Sequence, residues 1–226
     1  MAALPGPRQL VLALDHAESF ARDDFLPGPS NEAGLALVER WPDWPSPVMA
    51  LVGPEGSGKS HLAAIWATLS GARILSARLL DEADVPRALT TGAVVIEDLA
   101  ADGIDERALF HLLNLAREQE ASVLLTARSA PAGYAFRIAD LASRLRAVPV
   151  VALTPPDETL LRALIVKLAA DRQLRVDEAL VSFLVTRIER SYAAARAAVA
   201  LIDREAMRLK RPPTRALAAE LWRDRA

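Results

Sequence analysis

At 226 residues, 52% hydrophobic and 25% charged, the chain is long enough for one large domain plus an appendage, and apolar enough to bury a core. A net charge of −2 argues against a protein that grips nucleic acid by bulk charge, and the absence of cysteine excludes disulfides and thiolate metal sites. The charge is uneven: residues 1–154 carry 13 Lys/Arg against 19 Asp/Glu, and residues 155–226 carry 14 against 10.

The first twenty residues, MAALPGPRQLVLALDHAESF, lack the basic start and long apolar core of a secretion signal. No apolar run approaches the ~20 residues of a bilayer span, so a soluble cytoplasmic protein without a membrane partner is expected. Residues 1–22 read as an arm. Within it Arg8-Gln-Leu-Val-Leu-Ala-Leu14 places Leu10, Leu12 and Leu14 at period two behind Gln9. That pattern suits an edge strand, or an extended peptide whose leucines anchor in a partner's cleft while Gln9 bonds at its rim.

Pro27-Gly-Pro29 is a turn, Ser30 or Asn31 caps a helix through about Arg40, and the proline-rich stretch Trp41–Pro47 breaks the chain. Apolar runs then alternate with helical patterns. The runs are Val48–Val52, Ile74–Ser76, Ala93–Ile96, Val123–Thr126 and Val148–Leu153. The helices start at Lys59, span about Asp105 to Gln119, and lie near Ile138–Leu145. Five short runs separated by helices predict an α/β fold with a parallel five-stranded sheet. Thr154-Pro-Pro-Asp157 ends this part, and four helical patterns follow: Glu158–Asp171, Asp177–Glu189, Tyr192–Leu209 and Thr214–Trp222. The expected organisation is an arm (1–22), a nucleotide-binding sheet domain (23–154) and a small all-α lid (155–226).

Gly53-Pro54-Glu55-Gly56-Ser57-Gly58-Lys59-Ser60 is a full phosphate-loop match between a strand and a helix. Its glycines let backbone N–H groups turn toward phosphates, Lys59 reaches the terminal ones, and the Ser60 hydroxyl suits Mg²⁺; ADP or ATP is the expected ligand. Ala93-Val-Val-Ile-Glu97-Asp98 ends a buried strand in two carboxylates. The first, Glu97, would hold Mg²⁺ and the second, Asp98, would polarise a water. The order is the reverse of the usual Asp-then-acid. One methylene moves a carboxylate by about 1.5 Å, and such a misplacement can cost ~100-fold in rate, so slow turnover is expected. Thr126 closes another strand, where it can face the γ-phosphate, with Arg128 just beyond. Arg144, in the helix before the fifth strand, is either solvated or a finger for a neighbour's phosphate, worth ~10³–10⁵ in rate in other systems.

Phe25-Leu-Pro-Gly-Pro-Ser-Asn31, the phosphate loop with His61-Leu62 behind it, Leu125-Thr126, Ser143-Arg144-Leu145 and Pro155-Pro156, in that order, resemble the AAA+ domain of the replication initiator DnaA. The likeness runs from about Phe20 to Leu209. DnaA would continue into a helix-turn-helix DNA-binding domain and carries a helical insertion between the strands that match Ser76 and Ala93. This sequence stops at Ala226 and has few residues there, so it looks like the short DnaA-homologous Hda family, including its HdaA forms. The arm is similar to that family's sliding-clamp-binding peptide, with Ala13 in place of the frequent Pro or Phe.

The resemblance implies an AAA+ P-loop NTPase fold and a negative regulator of replication initiation. In its ADP form such a protein joins the DNA-loaded sliding clamp (the DNA polymerase III β subunit) through Gln9, Leu10, Leu12 and Leu14. It then presses Arg144 on ATP-bound DnaA, whose ATP is hydrolysed. The implied partners are the clamp, DnaA, DNA through the clamp, and a second copy of the chain. Gly53 to Ser60 with His61 and Thr126 would cradle the nucleotide. Where the family has a sensing arginine this sequence has Ala193; Arg196, one turn on, keeps the same helix face. The alternative reading is an active DnaC- or IstB-like loader ATPase, in which Glu97 and Asp98 work for the chain itself. The basic residues Arg187, Arg190, Arg204, Arg208, Lys210 and Arg211 read as a solvated helix surface or as a contact to DNA near the clamp.

Overall fold

The computed structural model describes residues 20–223. Gln9, Leu10, Leu12 and Leu14 therefore lie outside the described residues. Five strands, β1 (Val48–Val52), β2 (Arg73–Ser76), β3 (Ala93–Leu99), β4 (Ser122–Ala127) and β5 (Val150–Ala152), form one parallel sheet in the order β2-β3-β4-β1-β5. Period two decides which helices cover which face. Ala50 and Val52 of β1, with Val94, Ile96, Val123 and Leu125, pack under α3 (Val85–Ala88), α4 (Glu106–Glu118) and α5 (Ala139–Arg146). Met49 and Leu51, with Val95 and Leu124, pack under α1 (Glu32–Arg40) and α2 (Lys59–Ser70), around the fully buried Trp66. Both faces being covered is why these strands read as continuous apolar runs.

The last four helices, α6 (Glu158–Asp171), α7 (Glu178–Val185), α8 (Tyr192–Leu209) and α9 (Arg215–Arg223), enclose their own core of Leu161, Ile165, Leu180, Leu184, Val199 and Ile202. Side-chain caps start three of them. Asp157 accepts from Leu160 N–H, Asp177 from Leu180 N–H and Ser191 from Ala194 N–H. Such a cap typically contributes ~1 kcal/mol. Among the described residues no helix is long and apolar enough to cross a membrane.

Several elements differ from the sequence reading, among them α3, which it did not expect, and β3, which runs past Ile96 to Leu99. Asn31 sits at the start of α1 but turns its amide backward, accepting from Gly28 N–H and donating to the Leu26 carbonyl, so it secures the preceding loop instead of capping the helix. Helix α7 ends at Val185, short of Glu189, because a new cap at Ser191 restarts the helical path and Tyr192 N–H bonds the Gly56 carbonyl across the molecule. The fifth strand is shorter than its apolar run, although Leu153 N–H still bonds the Val52 carbonyl.

Candidate functional site: a phosphate cradle at the strand ends

Parallel pairing puts the carboxyl ends of β1, β3 and β4 side by side, the place where open α/β sheets bind ligands. A cavity of about 970 Å³ opens there. It is lined on one side by Glu55 to His61 and Asp98, and on the other by Tyr192, Ala193 and Arg196 of α8. Gly53 begins the loop where a Cβ would come within 2.6 Å of the Leu153 carbonyl oxygen. Gly56, at φ +72°, lies so close to α8 that a Cβ would come within 2.6 Å of Ser191 Cβ. These two glycines are thus required by close approach as well as by backbone freedom.

Lys59 opens α2 and is 7% exposed. Its ammonium donates to the carbonyls of Gly53 (2.8 Å) and Pro54 (2.7 Å). Burial pushes its pKa down, against the pull of Asp98, Glu55 and Glu97, while Arg128 pushes it further down. A desolvated lysine beside the free N–H groups at a helix start attracts anions. Ser60 faces the cavity. The buried Ser57 Oγ and Glu97 Oε1 have no hydrogen-bond partner within the protein.

Glu97 is half-buried and does not line the cavity, whereas Asp98 is exposed at it with φ +56°. Pairing of β3 with β4 shifts register between Ile96 and Leu99, and this irregularity swings Asp98 out of the pleat. Thr126 holds it there. It is 1% exposed, and its hydroxyl oxygen accepts from Asp98 N–H at 3.0 Å. Thr126 thus reaches the site through Asp98 and does not line the cavity.

His61 is 6% exposed and faces Ala21 O through Nε2 at 3.0 Å. Phe20 and Phe25 contact its ring edge-on, at centroid distances of 5.4 and 5.2 Å. Burial pushes its pKa below 6.5. Ala193 and Arg196 both line the cavity, as expected for one helix face, and the Arg196 guanidinium lies 5.1 Å from the centroid of the Tyr192 ring. Arg144 is absent from the cavity lining; its guanidinium lies 5.4 Å from the centroid of the Phe110 ring. The sequence reading missed the aromatic wall of Phe20 and Tyr192, and it missed Asp24, which receives a 2.6 Å bond from Lys167 of α6. These residues lie in loops or on helix faces with no motif of their own; the only signal was Phe25, at the head of the Gly-Pro-Ser-Asn stretch.

The donor set fits a nucleoside phosphate with a hard cation. Ser60 and Asp98 offer oxygens at the cavity, Glu97 adds a carboxylate oxygen with no partner within the protein, and Mg²⁺ is usually held by one or two carboxylates together with phosphates. Among the described residues no group of three or more His, Cys, Asp or Glu could hold a metal ion.

No protein-family model matches the chain. It is 31% identical over 169 residues to the chromosomal replication initiator protein DnaA of Caulobacter sp. (strain K31), covering 63% of this chain and 34% of that protein. The chain thus spans about a third of the length of the curated relative it matches. In structure it is similar to domain III of the Thermotoga maritima replication initiation protein DnaA, with a TM-score of 0.72, 18% identity and coverage of 91% of this chain and 96% of that one. AMPPCP-bound DnaA from Aquifex aeolicus gives 0.63, with 19% identity over 80% of this chain and 63% of that one. The Thermotoga maritima RuvB Holliday junction branch migration motor gives 0.69, with 19% identity over 89% and 70%. The chain therefore has the AAA+ P-loop NTPase fold of DnaA domain III and RuvB, and its relation in sequence is to DnaA, the chromosomal replication initiator.

Proposed function

We propose that this chain is a nucleotide-held regulator of DnaA, of the Hda type. ADP or ATP with Mg²⁺ would occupy the cavity, the phosphates over Lys59 and the helix start, the cation between Ser60, Glu97 and the phosphates. The nucleotide then clips the sheet domain (23–154) to the helical lid (155–226), since a ligand touching both favours the one arrangement that presents both surfaces. The arm would dock on the DNA-loaded sliding clamp through Gln9, Leu10, Leu12 and Leu14, and Arg144 would complete the ATP site of DnaA.

The observation that carries this reading is the division of labour among charged groups. Lys59, Asp98 and Arg196 surround the chain's own cavity, whereas Arg144 stands outside it on α5. An arginine outside its own site suits action on another molecule's phosphate.

The test is the rate of ATP hydrolysis by DnaA with DNA-loaded clamp and ADP, for the wild type, Arg144→Ala and Gln9→Ala/Leu10→Ala. Stimulation by the wild type and loss in both variants supports the regulator. In the alternative reading Glu97 and Asp98 would serve as the chain's own hydrolytic pair. If DnaA is unaffected while the chain alone hydrolyses ATP and binds single-stranded DNA, a loader ATPase replaces this reading.

A further inference from the structure

We infer that residues 20–26 form a strap latched to the helical lid by the Asp24–Lys167 ion pair, and that this latch governs how slowly a bound nucleotide leaves. The inference rests on the nucleotide reading of the cavity but not on DnaA or the clamp.

The strap is fixed first on the sheet side. Phe25 is buried in the core cluster that holds Leu35, Leu62 and Trp66. Phe20 and Phe25 meet the His61 ring edge-on, and Ala21 O lies 3.0 Å from His61 Nε2. The same stretch of chain also touches α6. Asp24 Oδ1 accepts from Lys167 Nζ at 2.6 Å, and a Cβ on Gly28 would come within 3.2 Å of Leu160 Cδ2. The Asn31 side chain keeps the loop between these two contacts in shape through Gly28 N–H and the Leu26 carbonyl. Phe20, Asp24, Phe25 and Leu26 line the cavity, as do Leu160 of α6 and Tyr192 of α8. The strap therefore forms part of the cavity wall and is held to the sheet part and to the lid at once.

Lys167 is placed to hold the strap and not the ligand. It is absent from the cavity lining, so its removal takes away no contact to a nucleotide. Asp171, one turn further along α6, accepts from the same ammonium at 3.0 Å and steadies it beside Asp24. Lys167 and Asp24 are more enclosed than an open surface pair, so salt screens them less. A ligand enclosed between two parts leaves when they separate, and each tie across the mouth adds to the barrier. The Tyr192 N–H bond to the Gly56 carbonyl is one such tie, made by backbone. The ion pair is another, made by side chains, and a substitution can remove it while the backbone stays in place.

The experiment is stopped-flow displacement of fluorescently labelled Mg-ADP by excess Mg-ADP, for the wild type, Lys167→Met, Lys167→Arg, Asp24→Asn and Asp24→Asn/Lys167→Met. Lys167→Met and Asp24→Asn should each speed release by about fivefold, the loss expected for one charge-assisted contact that water partly reaches. The double variant should release no faster than either single one, and Lys167→Arg should stay within about twofold of the wild type because it restores the charged donor. Raising salt from ~0.05 to ~0.5 M should speed release from the wild type more than from Lys167→Met. A wild type that binds ADP and releases it no more slowly than Lys167→Met, or single effects that multiply in the double variant, overturns this inference alone. A wild type that does not bind ADP overturns the nucleotide reading with it.

Discussion

Thr126 and Asp98 show how one hydroxyl can set a site it does not touch. Asp98 at φ +56° is in a conformation that costs non-glycine residues about 1 kcal/mol or more, and the acceptor on its N–H holds it there. Thr126→Val keeps the shape and strands that N–H, so it should cost about 1–3 kcal/mol in denaturant unfolding, whereas Thr126→Ser should recover most of the loss. The two acidic residues were legible in the sequence, but the bulge that re-aims the second was not, because the apolar pattern of Ala93–Ile96 carries no sign of a register shift. His61 makes a second case. Burial lowers its pKa from 6.5, so below that value the unfolded chain binds more protons than the folded one. Stability should be full above pH 6.5 and fall as pH drops through the depressed value. Tm between pH ~7.5 and ~5.5 should therefore decline, with a shallower slope in His61→Gln.

At the scale of elements, the strands and helices of the sheet were readable because burial on both faces writes continuous apolar runs; in the structure Asp105 and Asp157 cap the helices that follow them. What escaped was set by distant partners. The end of α7 and the start of α8 are fixed by the Tyr192 N–H bond to Gly56, 136 positions apart in sequence. Likewise, the Asn31 side chain answers to Gly28 and Leu26 and not to its own helix. The contact between loop and α8 gives a direct prediction. Gly56→Ala adds a methyl where Ser191 Cβ would be 2.6 Å away, at a positive φ. It should destabilise the fold by about 1–3 kcal/mol and weaken ADP binding, because the lid must back away from the cradle. Thermal unfolding and titration on the same sample would separate the two effects.

The molecule as a whole is a sheet and a helical part that meet at a cavity lined by both. Lys167 of α6 crosses to Asp24, with side chains only 21% and 31% exposed, and the bond raises the lysine pKa from 10.5. Its stabilising effect is present below that value and is lost as pH rises through the raised one. The basic surface of the helical part is less free than its sequence suggests, since Arg211 bonds Glu220 through two nitrogens and Arg208 bonds Glu205. A ligand touching both parts should raise Tm in proportion to the logarithm of its concentration, by ~2.7 kcal/mol of stabilisation at a hundred times Kd. The most direct measurement is calorimetric titration of Mg-ADP into the wild type, Lys59→Ala and Arg144→Ala. The account predicts that Lys59→Ala loses about tenfold or more while Arg144→Ala binds within about twofold of the wild type. A loss in Arg144→Ala as large as that in Lys59→Ala would contradict it, making Arg144 part of the chain's own nucleotide site.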